Sequence, residues 1–187
     1  MTFILISGKP GVGKTAVCNR LHGMLDQNGT FKLRYRQPSK VACREDHITH
    51  YEKDDKHIVV SSASDGDKCM LEFARYLDSL AKMPDIIVTT IREKDDGEDQ
   101  MSRMLALLDA IGNKTQNIEA YYTSNIMTKP IPTPFAPSAL RHNAFVFHLK
   151  KLQLSGSKVD KENTLVQYWE DYADGLKYVL DFALAHL

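Results

Sequence analysis

Gly8-Lys9-Pro10-Gly11-Val12-Gly13-Lys14-Thr15 decides how the rest of the chain is read. The stretch fits the spacing G-x-x-x-x-G-K-[ST] in full. It follows the apolar run Phe3-Ile4-Leu5-Ile6, which reads as a buried strand. It precedes Ala16, Val17, Leu21, Met24 and Leu25, which recur at helical spacing. A strand, a glycine-rich bend and a helix therefore follow one another without a break. Glycine lets such a bend turn several backbone N–H groups into one concavity, and the helix behind it adds its positive end. Phosphate oxygens fit there, so residues Gly8 to Ala16 form the candidate binding stretch. Lys14 supplies a mobile charge for the outer phosphates, and the Thr15 hydroxyl is the expected magnesium ligand.

On these residues the chain resembles the P-loop NTPase superfamily, over residues 2 to about 27. The resemblance implies a P-loop NTPase fold, binding of ATP with Mg²⁺, and chemistry at the terminal phosphate. Kinases, ATPases, GTPases and motor proteins share that fold, so the fold does not select among them.

The 187 residues suit one domain, 1–187, long enough to bury a substantial core. Lys plus Arg and Asp plus Glu both number 24, so the net charge is zero with neutral histidines. That balance argues against broad binding to nucleic acid or a membrane surface. The first residues enter the strand at once and show no secretory pattern, and no apolar run reaches membrane-spanning length. Three cysteines, Cys18, Cys43 and Cys69, lack C-x-x-C spacing and fit a reducing compartment, so a cytoplasmic location is expected.

Asn28-Gly29 should stop the first helix. Phe31 to Arg36 alternates apolar and basic residues, as a half-buried strand does, and would place Arg34 and Arg36 on one face. Residues 37–56 form a polar insertion that either carries its own helix or is functional. Ile58-Val59-Val60 reads as a central strand, followed by a turn whose Asp65 or Asp67 caps a helix carrying Met70, Leu71, Ala74, Leu77 and Leu80. Asp85 to Ile91 is a further apolar, β-branched strand. Met101 to Ile111 has helical spacing, Ile118 to Tyr122 reads as a strand, and residues 127–137 are a proline-rich connection. Ala144 to Leu149 fits either strand or helix, and residues 160–187 read as a carboxyl-terminal helix with Trp169 in its apolar stripe. Alternating strands and helices imply an α/β fold: three layers, α/β/α, around a mainly parallel five-stranded sheet. Ligands then sit at the carboxyl ends of the strands, which puts the glycine-rich loop, Asp65, Arg92 and Asn125 on one rim.

Phosphoryl transfer calls for a carboxylate near magnesium, and neither central strand ends directly in Asp. Asp65 is the first candidate, as metal ligand and catalytic group, against the alternative that it only caps a helix. Glu93 is the second, against an ordinary solvated charge. Arg92, just past a strand, could hold a phosphate or offset transferred charge, or instead pair with Asp95 or Asp96. The Ile91-Arg92-Glu93 segment entering a Met-rich helix is similar to small nucleotide kinases of the P-loop class. In such kinases the region of Arg34, Arg36 and Gln37 contributes to the acceptor pocket, and Arg141 and Lys150-Lys151 would suit a lid. Cys43, His47 and His50 would share one face if helical, and could hold zinc with His57, or simply belong to a polar insertion. Ser61, Ser62 and Ser64 lack the G-x-S-x-G elbow of a serine nucleophile.

The leading expectation is a kinase that uses Mg-ATP and a small-molecule acceptor, a nucleotide or nucleoside. The catalytic set would be Lys14, Asp65 and Arg92, with Thr15 and Asp65 on the metal. The alternative is an ATP-dependent regulatory switch, slow in hydrolysis, whose polar insertion contacts a protein partner. The carboxyl-terminal helix could also form a homodimer face. Thr123-Ser124-Asn125-Ile126-Met127 does not match the guanine-reading N-K-x-D, which favours ATP over GTP.

Overall fold

The apolar run that opens the chain becomes β1 (Thr2–Gly8), whose seven residues are all buried. Such a strand, apolar on both faces, belongs in the middle of a sheet with both sides covered. α1 (Lys14–Gln27) follows, then β2 (Lys32–Pro38), β3 (His47–Lys53), β4 (Lys56–Ser61), α2 (Asp67–Ser79), β5 (Ile86–Arg92), β6 (Asn143–Leu149) and α3 (Lys158–Ala185). The computed structural model describes residues 2–38, 47–62, 67–92, 143–149, 151–185 and 187. The helix at Met101 to Ile111, the strand at Ile118 to Tyr122 and the proline-rich connection 127–137 lie outside them.

Among the described residues the sheet has six strands, in the order β2-β3-β4-β5-β1-β6. β1 runs parallel to both neighbours, with Gly8 registered against Arg92 of β5 and Leu149 of β6. β4 and β5 are also parallel, whereas β2·β3 and β3·β4 are antiparallel. The expected mainly parallel five-stranded sheet is therefore corrected to a mixed one, with six strands among the described residues; the α/β class stands. The cause is local. Asp54 and Asp55 both adopt positive φ, 51° and 61°, which closes the two-residue hairpin between β3 and β4. The polar insertion 37–56 thus carries strand, with no helix of its own among its described residues.

Alternation sorts the side chains between the two faces. Ile4 and Ile6 of β1, Ile58 and Val60 of β4, and Ile86 and Val88 of β5 join Val17, Leu21 and Leu25 of α1 and Leu176, Val179 and Leu180 of α3 in one core. Leu21 and Leu176 are both fully buried there, and truncating either to Ala would cost about 2–5 kcal/mol. On the other face α2 meets the edge of the sheet. The Tyr76 ring stacks on Tyr35 at 5.3 Å, and its hydroxyl lies 3.3 Å from His50 Nδ1.

Both outer helices stop and start for identifiable reasons. α1 ends where Asn28 N–H bonds the Met24 carbonyl, and the Asn28 side chain accepts from Thr30. α3 begins earlier than position 160 because Ser157 and Asp160 cap one another. The Asp160 N–H donates to Ser157 Oγ, and the Ser157 N–H donates to the Asp160 carboxylate. The ambiguous run at Ala144 to Leu149 is settled as β6, paired with β1 along its whole length.

Candidate functional site

Because β1, β4, β5 and β6 run the same way, their carboxyl ends share one rim, and β1 leaves it at Gly8 between β5 and β6. Six residues later the chain is already in α1. Three glycines make so abrupt a passage feasible: Gly8, Gly11 and Gly13 hold φ values of 151°, 75° and 98°. At Gly8 the need is steric as well, since a Cβ would fall 2.6 Å from the Leu149 carbonyl oxygen. The backbone of β6 leaves no room for a side chain there.

Gly13 is the N-cap of α1 and offers no side-chain cap, and the first turn holds no acidic residue. The positive end of a 14-residue helix is therefore not neutralised by a carboxylate from its own first turn. Lys14 adds to it. Its side chain is only 4 % exposed, and Nζ donates to the carbonyls of Gly8 at 3.0 Å and Lys9 at 3.1 Å. The ammonium is thus folded back over the loop it belongs to. Val12 is buried and anchors the loop, Lys9, Pro10 and Gly11 are exposed, and Thr15 and Ala16 are half-buried on the first turn. Helix end, glycine backbone and lysine together suit an anion with several oxygens.

Arg92 ends β5 directly beside Gly8, so its backbone lies on the rim where a ligand is expected. Its side chain is outside the described set, as are Asp65, Glu93, Asn125, Arg141, Lys150 and Cys43. Further along the rim, Thr90 Oγ1 donates to the Ser62 carbonyl, and Ser62 Oγ accepts from the His47 N–H. These side chains brace strand ends.

Two expectations are corrected. Arg34 and Arg36 do not share a face, because the register shifts between Leu33 and Tyr35. Arg34 pairs with Glu52, while Arg36 donates to both oxygens of Asp26, each at 2.9 Å, and to the Tyr51 hydroxyl. The helical zinc face at Cys43, His47 and His50 is also absent, since His47–Lys53 is a strand. Three residues apart on a strand means opposite faces. His47 accordingly stands 6.3 Å from the His22 ring of α1, whereas His50 meets His57 at 3.0 Å between ring nitrogens. Among the described residues no group of three or more His, Cys, Asp or Glu could hold a metal. Burial and the neighbouring His57 lower the His50 pKa, with Glu52 opposing.

Trp169 is the site residue that sequence reasoning missed. It lies in the apolar stripe of α3, as expected, but its indole packs against Gly13. Nothing local marks that contact, because it joins the two ends of the chain. A second cleft, an open groove of about 590 Å³, lies between β2 and α2, floored by Tyr35 and Tyr76 with Lys68, Glu72 and Arg75 around it. It is at the β2 edge of the sheet, with three strands between β2 and β1.

No helix among the described residues is long and apolar enough to cross a membrane. Comparison with protein-family models, with curated proteins and with solved structures finds no match for this chain.

Proposed function

We propose that this chain is a P-loop protein that binds Mg-ATP at Gly8–Thr15 and transfers the terminal phosphoryl group to a small-molecule acceptor, a nucleotide or nucleoside. One observation carries the reading. The full G-x-x-x-x-G-K-T pattern forms the turn from β1 into α1, and its lysine is buried against the loop carbonyls at the N-terminus of that helix.

In this reading the loop N–H groups bind the inner phosphates. Lys14 leaves the Gly8 and Lys9 carbonyls for the outer ones, exchanging neutral acceptors for charged oxygens. Thr15 would hold magnesium. A single hydroxyl fits that ion, which keeps most of its waters and takes its remaining ligands from substrate phosphates. Magnesium supplies charge neutralisation across the phosphate oxygens. An acceptor oxygen attacks the γ-phosphorus while the bond to the β-phosphate oxygen breaks; ADP leaves, and the acceptor proton passes to a base or to water. Arg92, anchored beside Gly8 through its backbone, is the proposed stabiliser of transferred charge, and Asp65 the proposed carboxylate.

The test is ADP release from Mg-ATP with a panel of nucleosides and nucleoside monophosphates, with Lys14→Ala as control. Acceptor-dependent release that the variant loses supports the kinase. ATP bound without any stimulating acceptor overturns transfer to these acceptors and favours a nucleotide-dependent switch. No ATP binding overturns the reading altogether.

A further inference from the structure

We propose that Trp169, on the carboxyl-terminal helix, is a positioning residue for the Gly8–Thr15 loop, so that α3 forms part of the nucleotide site. The inference rests on the nucleotide reading above and extends it to a helix far from the motif in sequence.

The indole occupies the volume that a side chain at position 13 would need. A Cβ on Gly13 would overlap Nε1 and fall 2.6 Å from Cε2 and 2.9 Å from Cδ1. Gly13 is both the left-handed residue that closes the loop, with φ 98°, and the N-cap of α1. The ring therefore stands against the pivot between loop and helix. It is held from two further sides. The Arg20 guanidinium, on the second turn of α1, lies 5.2 Å from the ring centroid. Behind it, Tyr172, Ala173 and Leu176 fix α3 in the core shared with α1.

Nε1 is fully buried and has no hydrogen-bond partner among the described residues. An indole N–H is a donor only, so its surroundings respond to any acceptor that moves beside it. A wall against Gly13 removes loop conformations that swing toward α3, leaving the N–H groups of the helix end aimed at the rim. That is preorganisation of an anion site. The same contact makes the indole an observer, because any adjustment of Gly13 on loading changes the surroundings of Nε1.

The chain contains one tryptophan, so its emission comes from this ring. The experiment titrates the full-length protein with Mg-ATP, reading binding by equilibrium dialysis of labelled nucleotide and, in parallel, Trp169 emission. Emission should shift and saturate with the dialysis midpoint. Trp169→Ala should weaken ATP by about tenfold, and Trp169→Phe, which restores an aromatic wall, by less. Tyr178→Ala, at a 64 % exposed position on the same helix, should leave affinity unchanged. If Trp169→Ala does not fold, as judged by circular dichroism, the phenylalanine variant and native emission decide. ATP binding with unchanged emission and unchanged affinity in the Trp169 variant overturns the inference and spares the nucleotide reading. No binding by the unsubstituted protein overturns both.

Discussion

His22 Nδ1 lies 3.2 Å from the Tyr51 hydroxyl, inside the interface between α1 and β3. Tyr51 donates its one proton to Asp26 Oδ1 at 2.9 Å and accepts from Arg36 at 2.8 Å. His22 must then be the donor at Nδ1, which fixes the tautomer and leaves Nε2 a bare acceptor with no partner among the described residues. Burial, assisted by Arg36 and His47 and opposed by Asp26, lowers the His22 pKa from 6.5 to about 4. The folded protein holds this ring neutral where the unfolded chain takes a proton. Stability is therefore complete above pH 6.5 and falls as pH drops toward about 4. The loss attributable to His22 is about 2 kcal/mol at pH 5 and about 3 kcal/mol at its limit. Urea midpoints of the protein and of His22→Gln between pH 7.5 and 4 isolate it. The two curves should converge on acidification; a constant separation would refute the assignment.

Tyr51→Phe tests the same network from its centre. Asp26 and Arg36 remain paired without the hydroxyl and are partly exposed, at 37 % and 34 %, so water compensates them. His22 is only 6 % exposed and loses the Tyr51 hydroxyl as its partner at Nδ1. The expected destabilisation is about 1–3 kcal/mol, the cost of an unmet buried donor. A urea midpoint that changes by less than a fifth of that range would mean His22 finds another acceptor.

The three loop glycines should rank by what surrounds them. Gly11 has a positive φ but, among the described residues, nothing within 4 Å of where an alanine methyl would sit, so Gly11→Ala should meet backbone strain, about 1–2 kcal/mol. At Gly8 the obstacle is the Leu149 carbonyl at 2.6 Å, backbone that cannot yield without breaking the β1·β6 pairing. At Gly13 it is the Trp169 ring, wedged between the loop and Arg20. Alanine at either should cost about 2 kcal/mol more than at Gly11, strain and overpacking combined. Thermal melts of the three variants give the order directly; equal shifts would refute it.

β1, the loop and α1 are legible in the sequence because each signal is local: an apolar run, glycines at set spacing, apolar residues every third or fourth position. The β3–β4 hairpin is not, because Asp54-Asp55 turns without the glycine or asparagine that usually betrays positive φ. Without that turn, His47 and His50 read as neighbours on a helix, whereas the strand sends one toward His22 and the other toward His57. The bulge at Leu33/Tyr35 separates Arg34 from Arg36 in the same way, since one extra residue reverses the faces that follow. Trp169 is legible as core and illegible as a loop contact. Its stripe position says that it faces inward, and only the docking of α3 on α1 says what it meets.

Lys14 is the residue on which affinity and stability should separate. Its ammonium bonds two carbonyls, of Gly8 and Lys9, and Lys9 is exposed enough for water to replace the bond it loses. The Gly8 carbonyl is buried, however, and both bonds are charge-assisted, so Lys14→Ala should lower stability by about 1–3 kcal/mol, read from urea midpoints. Its effect on Mg-ATP is separate, because a charge close to the phosphates is lost: about a hundredfold in Kd, measured on folded protein by equilibrium dialysis. Lys14→Arg sharpens the distinction. It keeps the charge, but spreads it over a planar, forked guanidinium that is larger than the compact ammonium buried at the loop. It should bind ATP nearly as poorly as the alanine variant. Native affinity in Lys14→Arg would show that charge alone governs binding, and native affinity in Lys14→Ala would place the nucleotide elsewhere on the protein.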